Sequence, residues 1–265
     1  MSVAAGRIVL KSPREIELMR AAGRLVVRVL DAIEGEIRVG CTTASLNATA
    51  ERLIREAGAQ ALFLGVTNPQ SRGPFPASIC SSINDEVVHG IPDERTLAEG
   101  DIVKVDCGVR LRGYCGDAAR TFAVGRIAPE ARRLLEVTKG ALDLAVENVR
   151  PYQPWGKVAK LMQEYVERAG FGVVRDFVGH GIGREMHEEP KVPNYVDRRS
   201  RDADFELLPG MTLAVEPMVT VGKPDVEYRD RTRWTVVTKD GSLAAHFEHT
   251  LAVTQDGVSV LTDGK

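Results

Sequence analysis

Two stretches of this chain read as copies of one another. In the first, Leu97-Ala98-Glu99-Gly100 leads into Asp101-Ile102-Val103-Lys104-Val105-Asp106. In the second, Leu207-Leu208-Pro209-Gly210 leads into Met211-Thr212-Leu213-Ala214-Val215-Glu216. Each time a glycine precedes an apolar run that closes on an acid. Upstream, Arg55-Glu56-Ala57-Gly58 is echoed by Glu167-Arg168-Ala169-Gly170, and Pro13 at the head of one helical pattern by Pro129 at the head of another. The separations between partners (13 and 129, 58 and 170, 106 and 216) are nearly constant, as a duplicated half would make them. Such a duplication brings matching strands, and the acids they carry, together about a pseudo-twofold axis.

Each copy reads as helices followed by strands. Ser12-Pro13 opens a helix with apolar positions at Ile16, Met19, Leu25, Val26 and Leu30. A second helix runs from about Thr43 through Leu46, Leu53 and Ile54 and stops at Gly58. A loop rich in Gly, Pro and Ser follows, from Gly65 to Pro76. Ser78 to Ile83 alternates like a strand, Asn84-Asp85 is a turn, and Asp101 to Asp106 pairs with Tyr114 to Val124 around Leu111-Arg112-Gly113. In the second copy Pro129 and Pro154 precede helices. The expectation is an α+β fold of two pseudo-symmetric halves, each with helices packed on antiparallel strands. Residues 1–10 form an N-terminal extension to a single domain, 11–265, with pseudo-repeats at about 11–125 and 126–260.

Composition narrows the functional classes. With 35 basic and 37 acidic residues the net charge is −2, which gives no electrostatic case for nucleic acid or membrane partners. The start lacks the pattern of a signal peptide, and no apolar run is long enough to span a bilayer. Cys41, Cys80, Cys107 and Cys115 form no Cys-x-x-Cys pair, so neither a disulfide framework nor a structural zinc site is expected, and a reducing cytoplasm fits.

The acids carry the chemistry. Asp106 ends an apolar strand, where a carboxylate is costly unless paired, protonated or bound to a cation. Asp117 lies across the hairpin, and two carboxylates at one level repel each other unless a divalent cation lies between them. Glu216 closes the matching strand of the second half, and Glu248 precedes another apolar run. His180, in Gly179-His180-Gly181-Ile182-Gly183, adds one nitrogen; its glycines allow close backbone approach and positive φ. One imidazole with four carboxylates suits Mn²⁺, Fe²⁺ or Co²⁺, with Zn²⁺ also open, and can bridge two ions in a hydrolytic site.

At these residues the chain resembles type I methionine aminopeptidases of the pita-bread fold. The resemblance rests on Val87-Val88-His89-Gly90-Ile91-Pro92-Asp93, on Gly100 to Asp106, on Gly113 to Asp117, and on Gly179 to Arg184 with His187-Glu188-Glu189-Pro190. Pro209 to Thr212 with Glu216-Pro217-Met218, and Trp234-Thr235-Val236 through Phe247-Glu248-His249-Thr250, complete it. It spans about residues 10 to 260 in the family's order. The short stretch between His187 and Glu216 favours type I over type II, which carries a helical insertion there.

The resemblance implies an activity and roles. The enzyme would remove the initiator methionine from nascent proteins and peptides with a small second residue, by attack of metal-activated water on the first peptide bond. Asp106, Asp117, His180, Glu216 and Glu248 would hold two divalent ions (Co, Mn, Fe or Zn). Asp117 and Glu248 would bridge them, Asp106 would hold the second, and His180 and Glu216 the first. His89 would contact substrate near its N-terminus, His187 would polarise the scissile carbonyl, and Glu216 would be the general base. Phe75, Cys80 and Trp234 match the methionine pocket, Phe75 standing where tyrosine is frequent; Met186 stands where an aromatic is common and would either complete the pocket or fill the core. Nascent chain N-termini, met near the ribosome by a monomeric cytoplasmic enzyme, would be the partners.

The chain also departs from the family. The loop from Val66 to Pro74 is unlike its usual version, and His246, expected on the strand face of Glu248, stands where glutamine is frequent; His249 should face the other way. A prolidase or X-Pro aminopeptidase of the same fold is the enzymatic alternative, although those carry a long N-terminal domain. A metal-free peptide-binding relative is the non-enzymatic one. Met1-Ser2 itself presents a small second residue, so Met1 should be removed in cells.

Overall fold

A computed structural model describes residues 8–196 and 204–265. The expectation for Met1, and all but the last residues of the 1–10 extension, lie outside these. The first half runs α1 (Pro13–Glu36), α2 (Thr43–Glu56), β1 (Gln60–Ala61), β2 (Cys80–Ile83), β3 (Glu86–Val88), β4 (Ile102–Leu111) and β5 (Tyr114–Ala123). Ser12 caps α1 in a capping box with Glu15, and Pro13 takes the first turn, where its missing N–H costs nothing. Thr42 caps α2. The second half begins with α3 (Pro129–Asn148) and α4 (Trp155–Arg168). Its strands are β6 (Gly172–Val173), β7 (Gly179–Gly181), β8 (Glu188–Val192), β9 (Thr212–Val215), β10 (Met218–Thr220), β11 (Val226–Tyr228), β12 (Val236–Thr238), β13 (Ala244–His246), β14 (His249–Val253) and β15 (Val258–Val260).

Each half has its own core. The apolar stripes of α1 and α2, including Leu25, Leu30, Ile33, Leu46 and Ile54, pack on Val103, Val105, Cys107 and Val109 of β4. Leu134, Ala141, Trp155, Val158 and Met162 of α3 and α4 pack on Leu213, Val215 and Val219. Strand pairing echoes the repeat. β4 pairs antiparallel with β1, β2 and β5, while β9 pairs with β7 and β14, and β10 with β6 and β13. The long β4–β5 hairpin thus corresponds to two shorter pairs, β9–β14 and β10–β13. The breaks fall at Glu216-Pro217 and Phe247-Glu248, and proline, which lacks a ladder donor, accounts for one of them.

The halves meet along a seam built by two threonines. Thr121 Oγ1 donates to the carbonyl of His246 at 2.6 Å and accepts its N–H at 3.0 Å. Thr250 Oγ1 does the same for Asp117, at 2.8 and 3.0 Å. Each hydroxyl stands in for a strand neighbour and satisfies a buried peptide from the opposite half. The N–H of Glu248 donates to the carbonyl of Ala119 at 2.9 Å, which places Glu248 on the same seam.

Two details differ from the sequence reading. β4 continues well past Asp106, so this residue sits mid-strand. Its register partner is Ala119, while Asp117 faces Gly108. The two carboxylates are therefore diagonal neighbours on one face, not a directly opposed pair.

Candidate metal centre

All eleven residues singled out in the sequence line one cavity of about 640 Å³: Phe75, Cys80, His89, Asp106, Asp117, His180, Met186, His187, Glu216, Trp234 and Glu248. Asp117, His180 and Glu248 offer ligand atoms that all lie within 4.8 Å of one another. Glu216 joins them from the end of β9, with Oε1 at 3.7 Å from His180 Nε2. Asp106 completes the set from β4.

The side chains are arranged as a cation would require. Asp106 Oδ1, Asp117 Oδ1 and Glu248 Oε1 are buried with no hydrogen-bond partner among the described residues. Orphaned buried oxygens of this kind are costly, and a divalent ion is the natural compensation. His180 Nδ1 donates to the carbonyl of Gly181 at 2.9 Å, which assigns the tautomer and leaves Nε2 as a lone-pair donor. The donor set therefore fits a hard or borderline divalent metal.

The electrostatics agree. Burial pushes Asp106 well above the carboxylate range, with Asp117 and Glu216 adding to it. Burial raises Asp117 to about 7. Glu216 is raised by burial and by Asp117, and Glu248 by burial and then Asp117, Glu216 and Asp106. Burial, helped by His187, lowers His180 to about 4, so this imidazole is neutral and able to coordinate.

The glycines around His180 work by close approach alone. A Cβ at Gly179 would lie 2.3 Å from the carbonyl oxygen of Ala214, and one at Gly181 would lie 2.2 Å from that of Glu189. Positive φ is not used there: the left-handed glycines lie elsewhere, and the left-handed residue that matters at the site is His89, at φ 58°. A non-glycine residue held in that region is strained, and such strain concentrates at functional sites.

Beside the acids lies an apolar chamber. Phe75 and Trp234 meet edge to face at 5.2 Å, and both pack with Cys80, Ala77, Phe63 and Val66. His89 lines the same cavity beside this chamber, 6.5 Å from Trp234 and 5.5 Å from Phe177 by ring centroids. The ring of His187 meets that of His180 at 4.4 Å. The sequence reading did not single out Phe177 or Phe63 as lining residues. Phe177, three positions before His180, is the more recoverable of the two. His246 is buried, and its Nε2 lies 3.6 Å from Glu216 Oε2. His249 turns the other way and bonds Thr262 Oγ1 through Nδ1 at 2.9 Å.

A family model for metallopeptidase family M24 matches residues 17–255. The chain belongs to metallopeptidase family M24. A curated methionine aminopeptidase from Clostridium acetobutylicum is 50% identical over 256 residues, covering 96% of this chain and 98% of that protein. The crystal structure of methionine aminopeptidase from Rickettsia prowazekii superposes with a TM-score of 0.90 at 39% identity, over 97% of this chain and 100% of that one. The fold is the α+β pita-bread fold of these M24 relatives. An Xaa-Pro dipeptidase from Bacillus anthracis shares that fold at 22% identity and a TM-score of 0.74, with 97% of this chain aligned to 62% of that one.

Proposed function

We infer that this M24 metallopeptidase is a methionine aminopeptidase, acting on polypeptides whose second residue is small. The observation that carries this reading is the juxtaposition in one cavity of five ligand-type side chains, drawn from both halves, with an apolar chamber of aromatic and thiol groups suited to an unbranched thioether side chain. The full-length similarity to methionine aminopeptidases supports it.

In this reading Asp106, Asp117, His180, Glu216 and Glu248 hold two divalent ions, drawn from Mn²⁺, Fe²⁺, Co²⁺ and Zn²⁺. When bound, the ions supply Lewis acidity toward the scissile carbonyl and toward water. The chain's own groups do the rest. The Phe75–Trp234 chamber with Cys80 and Met186 takes up the side chain of the first residue. Burial and the neighbouring His187 hold His89 at about 4, so it is a neutral hydrogen-bonding group that does not repel the substrate's free amine. Burial also lowers His187, leaving one N–H to donate to the scissile carbonyl. Glu216 accepts the proton of the attacking water and returns it to the leaving amine. We place the enzyme in the cytoplasm, acting on emerging chains near the ribosome; its four thiols are free, as a reducing compartment would keep them.

The test is an assay on Met-Ala-Ser after chelation and again with Mn²⁺, Fe²⁺ or Co²⁺ restored, with Glu216→Ala as the control. Metal-dependent methionine release, lost in the substituted protein, is the expected result. A folded protein that releases no methionine with any of these metals, or that prefers Xaa-Pro peptides, overturns the reading.

A further inference from the structure

The segment leading into α1 is bound to the turn that delivers His187. Lys11 is buried, and its N–H donates to the carbonyl of Gly210 at 2.7 Å. Its Nζ donates to Glu188 Oε2 at 2.5 Å and to the carbonyl of Val9 at 2.8 Å. The other oxygen, Glu188 Oε1, accepts the N–H of Arg184 at 2.8 Å and of Glu185 at 3.2 Å. One carboxylate thus closes the turn on itself and joins it to Lys11. Within that turn, Met186 and His187 line the cavity.

The fit is tight and doubly anchored. A Cβ at Gly183 would lie 2.4 Å from Glu188 Oε1 and 2.5 Å from Lys11 Cε, so the turn closes on the ion pair with no room for a methyl group. A parallel contact starts one helical turn on: Tyr114 Oη donates to Glu15 Oε1 at 2.7 Å, and the Arg184 guanidinium lies over the Tyr114 ring at 4.7 Å. An ion pair that only added stability would not need the second Glu188 oxygen committed to the backbone of the turn. The side chains of Lys11 and Glu188 are 4% and 15% exposed, so removing the ammonium leaves a mostly buried carboxylate without its counter-charge. The turn must then shift.

We propose that Lys11 is a positioning residue for His187: through the Glu188 carboxylate it holds the turn that presents His187 to the substrate. The kinetic part of this proposal rests on the aminopeptidase reading. Misplacement of an aligned group by about 1 Å costs up to ~100-fold.

The test compares Lys11→Met, Lys11→Arg, His187→Ala and the Lys11→Met/His187→Ala pair, as full chains loaded with Mn²⁺ and assayed on Met-Ala-Ser. Lys11→Met should lower kcat on the order of 10- to 100-fold with little change in KM. Lys11→Arg should recover most of it. In the His187→Ala background the same substitution should change kcat by less than about twofold, because the group through which it acts is gone. An equal loss in both backgrounds, or no loss in either, overturns the proposal. A second arm reads the histidine imidazole resonances of the metal-free protein. In Lys11→Met and in Glu188→Gln the His187 signals should move while those of His249 stay. If the parent protein releases no methionine, the aminopeptidase reading fails and this arm alone decides the tether. Unmoved His187 signals overturn it.

Discussion

His246 Nε2 stands 3.6 Å from one oxygen of Glu216, whose other oxygen lies 3.7 Å from His180 Nε2. The carboxylate is thus held between an imidazole of the candidate ligand set and one outside it. Neither ring nitrogen of His246 has a hydrogen-bond partner among the described residues, and burial, with His89 and Lys104 nearby, lowers it to about 3. A neutral imidazole there has one N–H, and the Glu216 carboxylate is the acceptor within reach. Orienting partners of metal ligands typically carry about 10- to 100-fold in metal affinity. His246→Leu should therefore weaken Mn²⁺ binding by roughly tenfold or more in calorimetric titration of the metal-free protein. His246→Gln, which keeps a donor, should weaken it far less. Equal affinities for the parent and the leucine variant would remove His246 from the site.

Metal loading should release protons and restore stability lost at neutral pH. In the metal-free chain the folded-state values of Asp106, Glu216 and Glu248 lie well above the carboxylate range and Asp117 lies at about 7. The folded state then binds more protons than the unfolded one, so stability falls as pH rises toward and through those values. The buried histidines oppose this below 6.5, since His180 at about 4 and His246 at about 3 are neutral only when folded. Above 6.5 the histidines are neutral in both states and the carboxylates act alone. The melting temperature of the chelated protein should drop between pH 6.5 and 8, while that of the Mn²⁺-loaded protein changes little. Calorimetry in buffers of different ionisation enthalpy should show net proton release on binding at pH 7. A metal-free protein whose melting temperature is flat over that range would contradict this account.

Much of the site was legible because its signal is local. Asp106, Asp117, Glu216 and Glu248 each interrupt or close an apolar strand, and His180 sits among glycines that a backbone packed at about 2 Å clearances demands. The two halves bring them to one cavity. The diagonal placement of Asp106 and Asp117 was not legible, because it depends on how far β4 runs past Asp106 before the turn. Nor was the seam. Thr121 and Thr250 look like ordinary β-branched strand residues until the opposite half presents the peptides of His246 and Asp117 to their hydroxyls. The Lys11–Glu188 contact joins positions far apart in the chain, and no periodicity encodes it.

The glycines supply a matched pair of substitutions. A Cβ at Gly181 would lie 2.2 Å from the carbonyl oxygen and 2.6 Å from the carbonyl carbon of Glu189, both backbone. Gly181→Ala should push β7 away from the start of β8 and carry His180 with it. The expected cost is about 1–3 kcal/mol in stability from overpacking, with a loss of kcat that reaches ~100-fold. Gly35, near the end of α1, has open space around its Cβ position and no left-handed backbone. Gly35→Ala should stabilise by roughly 0.5–1 kcal/mol and leave turnover unchanged. Thermal melts and steady-state rates on Met-Ala-Ser check both. Similar effects from the two substitutions would show that clearance at Gly181 does not govern the site.

The apolar chamber should answer to a different kinetic constant from the acids. Trp234 packs edge to face on Phe75 at 5.2 Å, and its Nε1 donates to the carbonyl of Gly73 at 3.2 Å, which anchors the loop that carries Phe75. On the aminopeptidase reading, a wall of this kind touches the first side chain of the substrate alike in the ground state and in the transition state. Its removal therefore weakens binding without selectively raising the barrier. Truncating a buried aromatic wall removes contacts worth about 1.5–3 kcal/mol, so Trp234→Ala should raise KM for Met-Ala-Ser by roughly tenfold to a hundredfold with kcat changed much less. Glu216→Gln should do the reverse, lowering kcat by about 100-fold or more with KM nearly constant, because proton transfer belongs to the chemical step. Steady-state kinetics of the two variants side by side separate the roles. If Trp234→Ala lowered kcat as deeply as Glu216→Gln with KM unmoved, the indole would belong with the reacting groups and the chamber would not be the methionine pocket.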